Sequence, residues 1–85
     1  MFGKKSKSAE NPKFVNPKDI EINNALNLTY NAMKEKGYEP MNQLSYYLMS
    51  EDPCYVTPHN NARKALTSLD REEIIKHILR FYFEN

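Results

Sequence analysis

Four prolines and one glycine cut this chain into helix-length pieces. Pro17, Pro40, Pro53 and Pro58, with Gly37, all fall between residues 16 and 61. Proline suits the first turn of a helix but not its interior, and glycine is a natural stop because it accepts a left-handed backbone. In NPKD, Asn16 is placed to cap a helix, Pro17 to open it, and Asp19 and Glu21 to favour the positive end of its dipole. Ile22, Leu26, Tyr30 and Met33 follow at three- to four-residue spacing, which gives one apolar stripe. With Gly37 as the stop and Pro40 soon after, the pattern predicts a helix over 17–36.

A second helix is predicted in PMNQLSYYLMS, with Met41, Leu44 and Leu48 inward and Tyr47 beside them. Glu51-Asp52-Pro53 ends it, since the residue before proline leaves the α region. A proline-set connector, YVTPHNNAR, then leads into a short third helix from about Asn61 to Ser68. Asn60 or Asn61 would cap that helix, while Tyr55 and Val56 pin the connector to the core. Asp70 and Glu73 form a variant capping box for the last helix. Nothing reads as a strand. The expectation is an all-α fold: a compact bundle of four to five short helices over residues 16–85, a single helical domain.

Ile74, Ile75, Ile78, Leu79, Phe81, Tyr82 and Phe83 cover more than one stripe of the last helix. That is more apolar surface than one neighbouring helix can bury. A core of this size supplies only about 3–5 kcal/mol, so small chains commonly gain burial from disulfides, metals or association. One cysteine excludes an internal disulfide, and two histidines with it make a poor zinc set. Association remains, and a twofold homodimer is expected.

Residues 1–15, MFGKKSKSAENPKFV, are poor in aliphatics, which predicts a mobile, disordered basic tail. Lys4, Lys5, Lys7 and Lys13 against Glu10 give it a charge of +3; with +1 overall, the remainder carries −2. Phe2 and Phe14 are its aromatic handles, and Ser6 and Ser8 are hydroxyls open to a kinase. No apolar run reaches the roughly 18 residues that span a bilayer, and the lysines precede no signal-peptide apolar stretch. A cytoplasmic protein without membrane contact is expected.

SEDPCYVTPHNNAR places Cys54 and His59 close together, which raises metal or nucleophile chemistry. Zinc needs three or four donors, and His77 is the only other histidine. No CxxC, HxxxH or HExxH spacing is present, so no metal site and no cofactor are expected. Cys54 sits between Pro53 and Tyr55-Val56, a setting for a structural thiol rather than a reactive one. Two readings of the connector stay open: a structural link, or a docking surface in which His59, Arg63 and Lys64 project together toward an acidic or phosphorylated partner. A helix-turn-helix would need a connection of three to four residues, against roughly ten here. Nucleic-acid binding through the lysine tail is therefore the alternative function, with a thin electrostatic footprint.

The run KGYEPMNQLSYYLMSEDPCYVTPHNNAR, followed by LDREEIIKHILRFYFEN, resembles the IreB/ReoM family of small regulatory phosphoproteins from Gram-positive bacteria. The resemblance covers about residues 36–83 and rests on Lys36-Gly37-Tyr38, Pro40, Asn42-Gln43, Tyr47-Leu48, Ser50, Asp52-Pro53, Tyr55, His59, Ala62-Arg63, Arg71, Glu73-Ile74-Ile75 and Tyr82. It implies a helical, non-enzymatic homodimer, cytosolic and phosphorylated by PASTA-domain Ser/Thr kinases. Such proteins tune peptidoglycan synthesis and antibiotic tolerance, in part of the family through Clp-protease turnover of the enzyme that commits precursors to the wall. The family's phosphoacceptor is a tail threonine, whereas this chain has no threonine before Thr29; gapless extension puts Ser8 near that place. Thr57 and Pro58 stand where the family has proline and arginine, Glu51 replaces glycine, and Cys54 replaces alanine, which implies a small packing role for the thiol.

Overall fold

The computed structural model describes residues 16–84. Four α-helices form among them: α1 (Pro17–Glu35), α2 (Pro40–Ser50), α3 (Ala62–Thr67) and α4 (Arg71–Glu84). Two 3-10 turns, Pro53–Tyr55 and His59–Asn61, join α2 to α3, and no strand occurs among the described residues. The all-helical expectation holds. The tail expectations, with Ser6 and Ser8, lie outside the described residues. The principal extents are 34 × 24 × 21 Å, about two helix diameters thick, which leaves room for one core layer.

Both ends of α1 form as the punctuation requires. Asn16 is extended (φ −69°, ψ 126°), and its Oδ1 accepts from the Lys18 N–H at 2.8 Å. At the other end Gly37 takes φ 82°; its N–H donates to the Lys34 carbonyl at 3.1 Å and the Tyr38 N–H to that of Met33 at 2.9 Å. This pair of bonds satisfies carbonyls that the end of the helix would leave open.

The buried face of α1 differs from the predicted stripe. Ile22, Ala25, Thr29, Ala32 and Met33 are buried, whereas Tyr30 is exposed with the Lys34 ammonium 6.0 Å from its ring centre. The inward face centres one position earlier than the large side chains suggest, because α1 packs most extensively on α3 and small residues permit that approach. On α2, Pro40 and Tyr47 are buried with Leu44 and Leu48 partly so, while Met41 is exposed. One residue beyond Pro40 turns a side chain about 100° around the axis, away from the core.

Asn61 and Asn60 do not cap α3 with their side chains. Both adopt the left-handed region, φ 63° and 55°, and supply the sharp entry backbone instead. Asparagine tolerates that conformation better than most residues. Tyr47, Val56, Leu66, Leu69 and Ile74 join Ile22, Ala25 and Met33 in one core, so every helix and the connector contribute to it.

Thr29 is fully buried, and its hydroxyl has no hydrogen-bond partner among the described residues. A buried unsatisfied hydroxyl costs about 1–3 kcal/mol, and an apolar group of the same shape removes the cost. Thr29→Val is therefore expected to raise the midpoint of urea unfolding by an amount equivalent to about 1 kcal/mol, with unchanged slope.

Candidate interaction surfaces

The connector 51–61 is fastened at nearly every step. Gln43 Nε2 donates to the Tyr55 carbonyl at 3.1 Å, and Arg63 Nε donates to the Val56 carbonyl at 2.8 Å. The Ser50 hydroxyl donates to the Tyr46 carbonyl at 2.7 Å and accepts from the Asp52 N–H at 3.1 Å. Thr57 Oγ1 accepts from the His59 N–H at 3.2 Å. Val56 is fully buried, as expected, whereas Tyr55 lies at the surface against Tyr46, ring centres 5.3 Å apart. Long-range bonds to backbone carbonyls explain how a segment with two prolines holds one shape.

His59 and Arg63 are both half-buried, and both have internal partners. His59 Nε2 lies 2.7 Å from Glu35 Oε1, and Asn60 Nδ2 lies 3.4 Å from the same oxygen. Lys64 is exposed on the next position of α3. Among Arg63 and Lys64, the two cations that would read a groove, one is thus held at a carbonyl.

Cys54 is exposed, which corrects its reading as a packed filler. Asp52 accepts from the Cys54 N–H at 2.9 Å. That backbone bond first, and the thiol second, hold the Asp52 carboxyl below the usual carboxylate range. The same contact raises the thiol: the hydrogen bond to Asp52 is the largest cause, and the carboxylate charge the next. The contribution of Asp52 to stability is therefore present above the ordinary carboxylate value and is lost as pH falls through the lowered folded one. Asp52→Asn keeps the oxygen that meets the Cys54 N–H but removes the charge. It is expected to speed alkylation of Cys54 by iodoacetamide at pH 8 severalfold, since the thiolate is the reacting form.

Arg71 fixes the start of α4. One guanidinium nitrogen donates to the Leu48 carbonyl, and another pairs with the Glu51 carboxylate. Glu51 itself adopts φ 64° at the end of α2. A left-handed backbone is what glycine offers there at lower cost, and the ion pair with Arg71 is what glutamate offers instead.

At the other end of α4, Asp19 Oδ1 accepts from Arg80 Nη2 at 3.0 Å and lies 3.4 Å from His77 Nδ1. His77 is buried. Each of the chain's two histidines therefore faces a carboxylate of α1, one at either end of that helix. The Asp19–His77–Arg80 cluster does not follow from the sequence pattern; its signal was the three-residue spacing of His77 and Arg80 between the apolar positions of α4. Among the described residues no three His, Cys, Asp or Glu side chains are grouped to hold a metal ion, and no helix is long and apolar enough to cross a membrane.

These anchors bury Ile74 and His77 and leave the rest of the α4 apolar surface outward. Ile75, Ile78, Leu79 and Tyr82 follow one another at helical spacing on the exposed side. Phe81 is partly exposed, and Tyr82 and Phe83 are 77% and 74% exposed. The last two rings meet edge to face with centres 4.9 Å apart.

Comparison with known proteins places this arrangement. The model of the IreB regulatory phosphoprotein family matches residues 9–84. A UPF0297 protein of Ruminiclostridium cellulolyticum is 42% identical over 73 residues, 86% of this chain and 83% of that one. A UPF0297 protein of Lachnoclostridium phytofermentans is 39% identical over 67 residues, 79% of this chain and 76% of its own. The matched region contains the fastened connector, Arg71 and the apolar face of α4 alike, and the chain belongs to the family of IreB regulatory phosphoproteins.

Proposed function

We propose that this protein is a non-enzymatic regulator that works as a cytoplasmic homodimer through protein–protein contacts. In this reading a PASTA-type Ser/Thr kinase phosphorylates Ser8, with Ser6 as the secondary acceptor. The modified state controls peptidoglycan synthesis and antibiotic tolerance by altering Clp-dependent proteolysis of a wall-synthesis enzyme. The observation that carries the association half is the outward face of α4. Monomers rarely expose contiguous apolar patches beyond a few hundred Å², and larger ones mark interaction sites. The family's description as regulatory phosphoproteins supports the phosphorylation half.

Lys64 is the exposed cation at the rim of the connector, with His59 and Arg63 setting the shape beneath it. We assign partner contact to that edge, with Lys64 meeting an acidic group and the other two residues shaping it. Incubation with the kinase domain of a PASTA kinase and Mg-ATP, followed by peptide mapping, tests the switch. Phosphate on Ser8 is expected. Phosphate confined to residues 16–85, or none at all, overturns it.

A further inference from the structure

α2 buries Pro40 and Tyr47 and, in part, Leu44 and Leu48, which leaves its opposite side to solvent. On that side Glu39, the N-cap, is followed by Asn42, Tyr46 and Met49 at spacings of three, four and three residues, one stripe of a helix. All four are exposed, Met49 to 73%. The 3-10 turn after α2 adds Tyr55, whose ring meets that of Tyr46 at a 54° tilt.

This surface is held in shape by the protein itself. Gln43 Nε2 donates to the Tyr55 carbonyl, and the Ser50 hydroxyl joins the Tyr46 carbonyl to the Asp52 N–H. Both rings and Asp52 therefore sit on backbone fastened to α2. Pre-formed aromatic side chains lose little freedom on binding, and tyrosine and methionine are enriched where proteins meet.

The charge around the face selects its occupant. From Tyr38 to Pro58 the chain has Glu39, Glu51 and Asp52 and no lysine, arginine or histidine. Arg71 is brought to Glu51, and Arg63 is held at the Val56 carbonyl. Glu39 and Asp52 have no ion pair among the described residues. They stand beyond opposite ends of α2, whose 11 residues are about 16 Å long. About five residues of extended chain cover that distance. The faces of the two tyrosine rings also attract a cation through their quadrupole.

We infer that the outward face of α2 docks a short extended segment of a partner protein, basic at both ends and apolar between. Its cations meet Glu39 and Asp52, and its apolar part lies on Tyr46, Tyr55 and Met49. The charge is opposite to that of the Lys64 edge, so the two surfaces take different segments. The α2 contact needs neither the α4 face nor phosphorylation, and a monomeric or unmodified protein leaves it standing.

Amide NMR spectra of the full-length protein, titrated with the capped pentapeptide Arg-Leu-Ser-Leu-Arg, test it. Saturable shifts are expected at residues 39–56, weakening as salt is raised. The acidic counterpart Glu-Leu-Ser-Leu-Glu should leave those amides in place. Tyr46→Ser and Asp52→Asn should each weaken binding severalfold. Asp52→Asn keeps the oxygen that meets the Cys54 N–H, so it removes the charge with the turn intact. Met49→Lys, at the most open of the three apolar side chains, should weaken binding at least as much without touching the core. Shifts gathered on the acids of α1 or α4, or none at all, overturn the proposal. So do equal shifts with the acidic peptide, and undiminished affinity in a Met49→Lys protein that melts with wild type. Amides 39–56 that move on dilution without peptide, and not on its addition, overturn it in favour of a second copy of this chain.

Discussion

Arg63→Ala is expected to lower the thermal midpoint by about 10 °C, because it opens the connector. Among the described residues, it is Arg63 Nε–H that reaches the Val56 carbonyl from another element, and Val56 is fully buried. Removing a charged donor from such an acceptor costs about 1.5–3 kcal/mol. In a domain of this size each kcal/mol moves the midpoint by about 4–8 °C. Arg63→Lys should recover little, since a lysine ammonium cannot reproduce a guanidinium nitrogen fixed beside a carbonyl. His59→Ala should cost much less, about 0–1 kcal/mol, because its partner Glu35 is 59% exposed. Circular-dichroism melts of the three variants against wild type check this order. An Arg63→Ala protein that melts with wild type would return Arg63 to a purely outward role.

The helix boundaries were legible because their causes are local. Asn16-Pro17, Gly37, Pro40 and Asp52-Pro53 act through their own backbone within a few residues. Helix faces were less legible where shape outweighed hydrophobicity: Ala25 and Thr29 are inside and Tyr30 outside, because α3 needs a close approach that only small side chains permit. The connector was visible as a distinctive stretch, but its bonds were not. Gln43 reaches Tyr55 across twelve residues and Glu35 reaches His59 across twenty-four, and no local pattern announces such pairs. His59 and Arg63 attracted attention as charges available to a partner, whereas the fold gives both an internal contact. The apolar neighbours of Cys54 suggest a structural, packing thiol, yet Asp52 caps the turn and leaves the thiol at the surface. The apolar excess on α4 was legible from the sequence, since the apolar residues from Ile74 to Phe83 cover more than one stripe and a single neighbouring helix covers one.

Leu79→Glu is expected to dissociate the proposed dimer without unfolding the chain. Leu79 is half-exposed within the stripe of Ile75, Ile78 and Tyr82, so its loss leaves the core of Ile22, Met33, Leu66 and Ile74 intact. Substitutions outside a core usually change stability by less than about 0.5 kcal/mol. At a buried interface the same change places an unpaired carboxylate among apolar side chains, which costs at least about 2 kcal/mol at a central position. That is roughly thirtyfold in dimer affinity. Helicity and melting should therefore stay near wild type at low concentration, while the assembled fraction collapses.

Sedimentation equilibrium of the wild-type protein across the micromolar range tests the association most directly. The proposed homodimer predicts a species of twice the 10.0 kDa chain mass that Leu79→Glu reduces to the single-chain mass. A wild type that sediments as one 10.0 kDa chain throughout, with its α4 face open to water, would contradict it.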